Sequence, residues 1–283
     1  MFLYQYFKNK ELIKIPAKYF LAIEAAIKAS AVIMDFYQNG YKAEYKNDGS
    51  PVTEADIASS QVIVEILKET GFPVMDEESK KADYSVRSSW EYYWCVDPLD
   101  GTKEFIKQNG EFVVNIALIK NFETVFGIIA SPVKKDLILG GKEYGGFYST
   151  FEEALHPKKW MRLIPGSKPN KPLVMISSRS HFSGISLDFV NILKDHFGEV
   201  RYVRRGSAMK FFNLVFRQAD VYPRFAPTME WDIAAGQAIL EGIGGEVVEY
   251  ETGLPLTYNK KNLENPHFVA KTKPFIAKNI RLR

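Results

Sequence analysis

Between Pro16 and about Gln38, apolar Phe20, Ile23, Ile27, Ala31 and Met34 recur at steps of three and four, as one face of a helix does. Pro16 suits its first turn and Asn39-Gly40 its end. After a short extended piece and a loop, KNDGSP, the stretch TEADIASSQVIVEILKET predicts a second helix closed by Gly71. Thr53 and Asp56 are spaced as a capping pair at its start. The period then changes. After short apolar Val74-Met75, the segments WEYYWCVD, EFVVNIALI, TVFGIIA, DLILGG and GGFYST read as strands to about residue 150, with Asn121-Phe122-Glu123 as a tight link. Few helices interrupt them, so a largely antiparallel or mixed sheet is expected, with the two early helices on one face. IPGSKPNKP, residues 164–172, concentrates Pro, Gly and Lys and marks a boundary. Beyond it LVMIS, ISLDFVNILKDHF, VRYV, SAMKFFNLVFRQ, ADVYP, WDIAAGQAILEGI and GEVVEY alternate strand and helix. The reading is therefore two halves, 1–163 and 164–283, the second an α/β unit with its own core.

Composition narrows the class. Hydrophobic residues make up 46% and charged ones 25% of the 283, which excludes long disorder and coiled coil as the main architecture. Lys and Arg number 37 against 34 acids, a formal +3 that is too mild to argue for nucleic-acid binding yet suits a small anionic substrate. The single cysteine, Cys95, forbids an internal disulfide and fits a reducing compartment. No run of about 18 apolar residues predicts a membrane span. The start, MFLYQYFKNKELIKIP, lacks the features of a signal peptide, so a cytoplasmic location is expected. Its aromatic arm (Phe2, Leu3, Tyr4, Tyr6, Phe7) is expected to pack on its own domain or on a partner, with weak peripheral membrane attachment as the alternative. No obligate protein partner is evident.

The richest chemistry lies in WCVDPLDGTKEF, residues 94–105. A strand delivers Asp97, Pro98 stiffens the backbone, and Asp100 follows before Gly101-Thr102, so both carboxylates can face one point with the Leu99 carbonyl between them. Gly101 permits close approach of an anion, and a helix starting near Thr102 offers free N–H groups. Hard oxygens beside a phosphate cradle suit magnesium. Glu77 follows the short apolar strand, and Asp232 stands in the first turn of a later helix. Two such charges about 4 Å apart repel by roughly 4 kcal/mol at an effective dielectric of ~20. If these acids converge, they require divalent cations.

Blander readings exist for each residue. Asp97 and Asp100 are ordinary turn formers beside Pro and Gly; Asp56 is a sufficient cap; Asp232 complements a helix dipole. Cys95 is a small core residue rather than a nucleophile. His156, His181, His196 and His267 lack zinc-like spacing. VRYVRRGSAMKF, with Arg204, Arg205, Ser207 and Lys210, is either a solvated basic patch or a grip on a second phosphate, and Arg224 is a further candidate for the latter.

Taken together, DPLDGTKEF with VTEAD before it and WD-x-A-A-G after it resembles the magnesium-dependent, lithium-sensitive phosphatases related to inositol monophosphatase. SPVTEADIAS, WCVDPLDGTKEFIKQNGEFVVNIALI, SSRSH and VYPRFAPTMEWDIAAGQA resemble the CysQ-type 3'(2'),5'-bisphosphate nucleotidases among them, as does Lys103-Glu104-Phe105 after the DGT. The resemblance implies a layered αβαβα fold of the α/β class. It implies magnesium, two or three ions per site, held by Glu77, Asp97, the Leu99 carbonyl, Asp100 and Asp232. Asp56 and Thr102, with Glu77, match the groups that place and activate an attacking water. Substrate contacts fall on Glu77, Leu99, Asp100, Gly101, Thr102, Ser207, Lys210, Arg224 and Asp232. The implied reaction removes the 3'-phosphate of adenosine 3',5'-bisphosphate, or of its sulfated relative PAPS, in sulfur metabolism. Alternatives are an inositol or sugar monophosphatase, a non-catalytic metal-dependent nucleotide sensor and, on the basic excess alone, an RNA binder. One departure stands out: Asp76 occupies a position usually held by small Ser or Gly, and it either tunes metal affinity or faces solvent.

Overall fold

The computed structural model describes residues 15–46, 49–178 and 184–279; the aromatic arm and His181 lie outside them. The first helix, α1 (Ala17–Asn39), runs within a residue of its expected bounds and ends at Gly40, whose φ of 99° needs glycine. A small hairpin of β1 (Ala43–Tyr45) and β2 (Pro51–Thr53) leads into α2 (Glu54–Lys68). Then come β3 (Val74–Asp76), a single turn α3 (Tyr84–Arg87), β4 (Tyr92–Asp100), a short α4 (Thr102–Ile106), β5 (Val113–Lys120), β6 (Glu123–Ser131), β7 (Asp136–Gly141), β8 (Gly145–Thr150) and β9 (Met161–Arg162). The strands form a seven-stranded sheet in sequence order, antiparallel except that β3 runs parallel to β4. Asn121 and Phe122 both take positive φ (48° and 70°) to close β5 on β6 in the expected tight turn.

The remainder builds a second, five-stranded sheet from β10 (Leu173–Ser177), β11 (Val200–Arg204), β12 (Val221–Arg224), β13 (Glu246–Glu249) and β14 (Phe268–Lys271), with α5 (Gly184–Phe197), α6 (Met209–Val215), α7 (Glu230–Gly242) and α8 (Lys273–Ile276). Its order is β11-β10-β12-β14-β13. Strand β14 is absent from the sequence reading: four residues are too short for a period, and only antiparallel pairing with both β12 and β13 makes them a strand. The simple alternation of strand and helix expected for this half breaks there.

Burial resolves five layers. Helices α1 and α2 pack Ala22, Ile23, Ile63 and Leu67 against Trp94, Val96, Ile116 and Ile128 on one face of the larger sheet. On its other face, Cys95, Ala117 and Ile129 share one core with Phe211, Ile233, Ala234, Ile239 and Tyr222, so α6 and α7 are sandwiched between the two sheets. Phe189, Leu193 and Phe275 cover the outer face of the second sheet. The second half thus has a core of its own on one side and shares the larger one. Helix α7 lies flush on β6 because Gly127 has no side chain: a Cβ there would stand 2.3 Å from the Ala235 carbonyl oxygen.

Candidate metal centre

Strand β4 carries the acids of DPLD with an irregularity that their spacing alone hides. Asp97 pairs with Asn115 and Asp100 with Val113, so three steps on β4 oppose two on β5. In a regular strand residues three apart face opposite sides; the extra residue of this bulge corrects the parity and lets both carboxylates serve one site. The strand therefore continues to Asp100 rather than ending in a turn at Asp97. Gly101 follows at φ 102°, where a Cβ would meet the Glu111 carbonyl oxygen at 2.9 Å, and α4 begins at Thr102.

Three elements from both halves meet there. Carboxylate oxygens of Glu77 after β3, Asp97 on β4 and Asp232 on α7 all lie within 4.8 Å of one another. Asp97 is buried, and its Oδ1 accepts the Leu99 N–H at 3.0 Å. Burial, then Glu77 and Asp100, push its pKa well above the usual carboxylate range. Asp232 accepts the Met229 N–H at 2.9 Å, and the protein packed around it, followed by Asp100 and Glu77, raises its pKa well above the usual range too. Among the described residues no Lys or Arg forms an ion pair with Asp97 or Asp232. Oxygen-only donors, crowded and, at Asp97 and Asp232, without an ion-pair partner among the described residues, fit a hard divalent cation.

Asp100 is bonded through one oxygen. Its Oδ2 accepts from Ser207 Oγ at 2.9 Å, the Ala208 N–H at 2.5 Å and Asn115 Nδ2 at 3.3 Å, so that oxygen docks the Ser207 segment, and Asp100 is not among the acids whose oxygens cluster within 4.8 Å. Thr102 Oγ1 donates to Asp56 Oδ1 at 2.8 Å and lies 3.4 Å from the Leu99 carbonyl oxygen. Asp56 Oδ2 accepts both the N–H and the hydroxyl of Thr53, at 2.7 and 2.6 Å. Capping and the link to Thr102 thus use different oxygens of one buried carboxylate, and the two readings of Asp56 coexist. Burial raises its pKa while the Thr53 and Thr102 bonds pull it down. Lys210 is buried, donates to the Ser207 carbonyl oxygen and sits over Tyr222 at 5.1 Å; burial lowers its pKa to about 8. Arg224 Nε and Nη2 donate to the carbonyl oxygens of Ala226 and Pro227, bracing the segment that leads to Asp232.

Several residues escaped the sequence reading. Lys46, in the loop after β1, places Nζ 2.9 Å from Glu77 Oε1 and 2.7 Å from Glu78 Oε1. Burial works against its charge, yet the combined pull of Glu77 and Glu78 raises its pKa. Lys81 donates to the Glu77 carbonyl oxygen and lies 4.8 Å from the Trp231 ring, tying the Glu77 turn to α7. No periodicity marks a loop lysine for such a place. Asp76 does not face solvent: it is 1% exposed, with Oδ2 accepting from Ser60 and Ser79 and Oδ1 buried without a partner.

Comparisons with known proteins agree with this architecture. Residues 17–281 match the model of the inositol monophosphatase family. A relative from Salmonella typhimurium, the 3'(2'),5'-bisphosphate nucleotidase CysQ, is 40% identical over 250 residues, 87% of this chain and 96% of that protein. The crystal structure of CysQ from Bacteroides thetaiotaomicron superposes with a TM-score of 0.80 at 41% identity, covering 93% of this chain and 99% of the other. Thermotoga maritima IMPase shares the fold at a TM-score of 0.72 and 17% identity over 94% of this chain and 96% of that one. With its five layers, its bulged DPLD strand and a family match over nearly its whole length, the chain belongs to the inositol monophosphatase family.

Proposed function

We propose that this protein is a magnesium-dependent phosphatase that hydrolyses the 3'-phosphate of adenosine 3',5'-bisphosphate to AMP and phosphate, and also accepts PAPS. The observation that carries the reading is the convergence of Glu77, Asp97 and Asp232 beside the Asp56–Thr102 pair, in a chain whose relatives of high coverage are bisphosphate nucleotidases. Glu77, Asp97, the Leu99 carbonyl, Asp100 and Asp232 would hold the cations. When bound, divalent cations supply positive charge to phosphate oxygens and lower the pKa of nearby water.

The chain's own groups do the rest. By donating its hydroxyl hydrogen bond to Asp56, Thr102 leaves its oxygen lone pairs free to accept a hydrogen bond from water, which orients that water for in-line attack. Asp56 is fixed for this by its bonds to Thr53. Water attacks phosphorus, the P–O bond to the ribose 3'-oxygen breaks, a proton lost by the water is balanced by one gained by that oxygen to give the 3'-hydroxyl of AMP, and no covalent phospho-enzyme is needed. Lys210, Arg224 and the Ser207 segment form the side of the site suited to the second phosphate, where charge-assisted hydrogen bonds discriminate a bisphosphate from a monophosphate. We read the division near residues 164–172 as the boundary between two halves that supply opposite walls of this site.

Phosphate release measured at fixed magnesium from adenosine 3',5'-bisphosphate and from inositol 1-phosphate tests the assignment. A preference of about 100-fold or more for the bisphosphate is expected, the scale that a dedicated polar anchor provides. Equal or inverted rates overturn the substrate class, and binding without AMP formation overturns catalysis.

A further inference from the structure

Two of the clustered acids sit on segments that are far apart in sequence and held to no common strand. Glu77 leaves the edge strand β3, while Asp232 starts α7, more than 150 residues later. A buried hydrogen-bond chain ties the start of α7 to the end of α3, ten residues past Glu77. Arg87, at the end of α3 in the stretch that follows Glu77, is 4% exposed. Its Nη1 donates to Asn259 Oδ1 at 2.8 Å and its Nη2 to the Lys261 carbonyl oxygen at 2.9 Å, and its own carbonyl accepts Asn259 Nδ2 at 2.6 Å. Asn259 is itself buried and takes a φ of 62°. Its N–H donates at 2.7 Å to Oε2 of Glu230, two residues before Asp232.

Glu230 is fully buried, and its carboxylate is saturated by that bond, by the Lys260 N–H at 3.0 Å and by Lys260 Nζ at 2.6 Å. The same loop grips the preceding residues. Asn265 Nδ2 donates to the Met229 carbonyl oxygen at 2.7 Å, its N–H to Thr228, and the Glu230 N–H to Leu263. A buried guanidinium and a buried carboxylate are costly unless every bond is made, and here they meet through Asn259 rather than directly. Such an arrangement fixes geometry more than it adds stability.

We infer that Arg87, Asn259 and Glu230 form a positioning relay that sets where Asp232 stands relative to Glu77 and Asp97, and so sets the affinity for the divalent cation. None of the three is among the clustered acids that would hold the cation. The inference rests on the proposed metal-dependent reading, and the test separates the two. Loss of outer partners of a metal ligand weakens metal binding by about 10- to 100-fold; one step further removed, the lower end applies.

The experiment titrates manganese alone into wild type, R87M, E230Q and D232N, reading free Mn2+ by electron paramagnetic resonance well below each melting temperature. R87M and E230Q are expected to raise the manganese dissociation constant about tenfold, and D232N by considerably more. With bisphosphate substrate, R87M should require more magnesium for half-maximal rate while kcat at saturating magnesium stays within about threefold of wild type, the split expected when only cation retention is lost. A general loss of packing lowers the folded fraction and leaves the manganese constant of the folded protein unmoved. Manganese affinity unchanged in R87M and E230Q but lost in D232N overturns the relay. Affinity unchanged in D232N overturns the metal-centre reading itself. Should R87M not fold, E230Q, which keeps the side chain's shape, decides.

Discussion

Replacing Asp97 by asparagine should stabilise the ion-free protein and abolish its response to magnesium. Oxygens of Glu77, Asp97 and Asp232 lie within 4.8 Å of one another. At that separation two full charges repel by roughly 3.5 kcal/mol at an effective dielectric of ~20. Asp97 has two such neighbours, an upper bound of about 7 kcal/mol. The preference of buried Asp97 for its protonated form and the Lys46 ion pair on Glu77 both cut that bound, so a gain of roughly 2 kcal/mol, within the usual range for one substitution, is expected. The amide side chain of D97N keeps an oxygen that can accept the Leu99 N–H, so little offsets the gain. For a chain of 283 residues the unfolding entropy is about 0.6 kcal/mol per kelvin, which converts the gain to about 3–4 °C. Magnesium at 100 times its dissociation constant stabilises the wild type by about 2.7 kcal/mol, or roughly 4–5 °C. Scanning calorimetry in EDTA and in magnesium should therefore show D97N above wild type without the ion and no higher with it. Turnover should be abolished as well. A D97N protein that melts below wild type in EDTA, or that gains as much from magnesium, refutes the claim that Asp97 is a crowded buried acid suited to a cation.

The two oxygens of Asp56 predict a separable pair of effects: T53A should cost about 1 kcal/mol of stability through the helix cap and leave kcat within threefold, while T102V should lower kcat about 100-fold with little change in melting temperature. Equal kcat losses in both variants would show that the cap, not Thr102, carries the effect. G127A should lower the melting temperature by about 5 °C, from overpacking of about 3 kcal/mol against the Ala235 carbonyl, and weaken manganese binding because α7 carries Asp232; an unchanged melt contradicts the flush contact. For Lys210, whose pKa burial lowers to about 8, kcat/KM for the bisphosphate should fall as pH rises through that value, and K210M should be low and flat across the same profile. Stability linked to Lys210 should rise between about pH 8 and the ordinary lysine range, where the unfolded chain holds a proton that the folded one has lost.

The sequence alone determined what depends on neighbours along the chain. The three-four spacing of Phe20 to Met34 and the Thr53–Asp56 pair set α1 and the start of α2, and β-branched runs set β5 and β6, because these are local preferences of backbone and side chain. The acids at 77, 97, 100 and 232 were visible as residue types in a recurring pattern. Their convergence was not, since bringing Asp232 to Asp97 requires α7 to cross onto the larger sheet over Gly127, a contact between residues about a hundred apart. The bulge that turns Asp97 and Asp100 to one side depends on pairing with β5, and β14 exists only by its partners. Lys46, Lys81 and the burial of Asp76 likewise belong to the tertiary structure, because a charged residue in a loop has no period, and what it faces is decided by the elements packed around it.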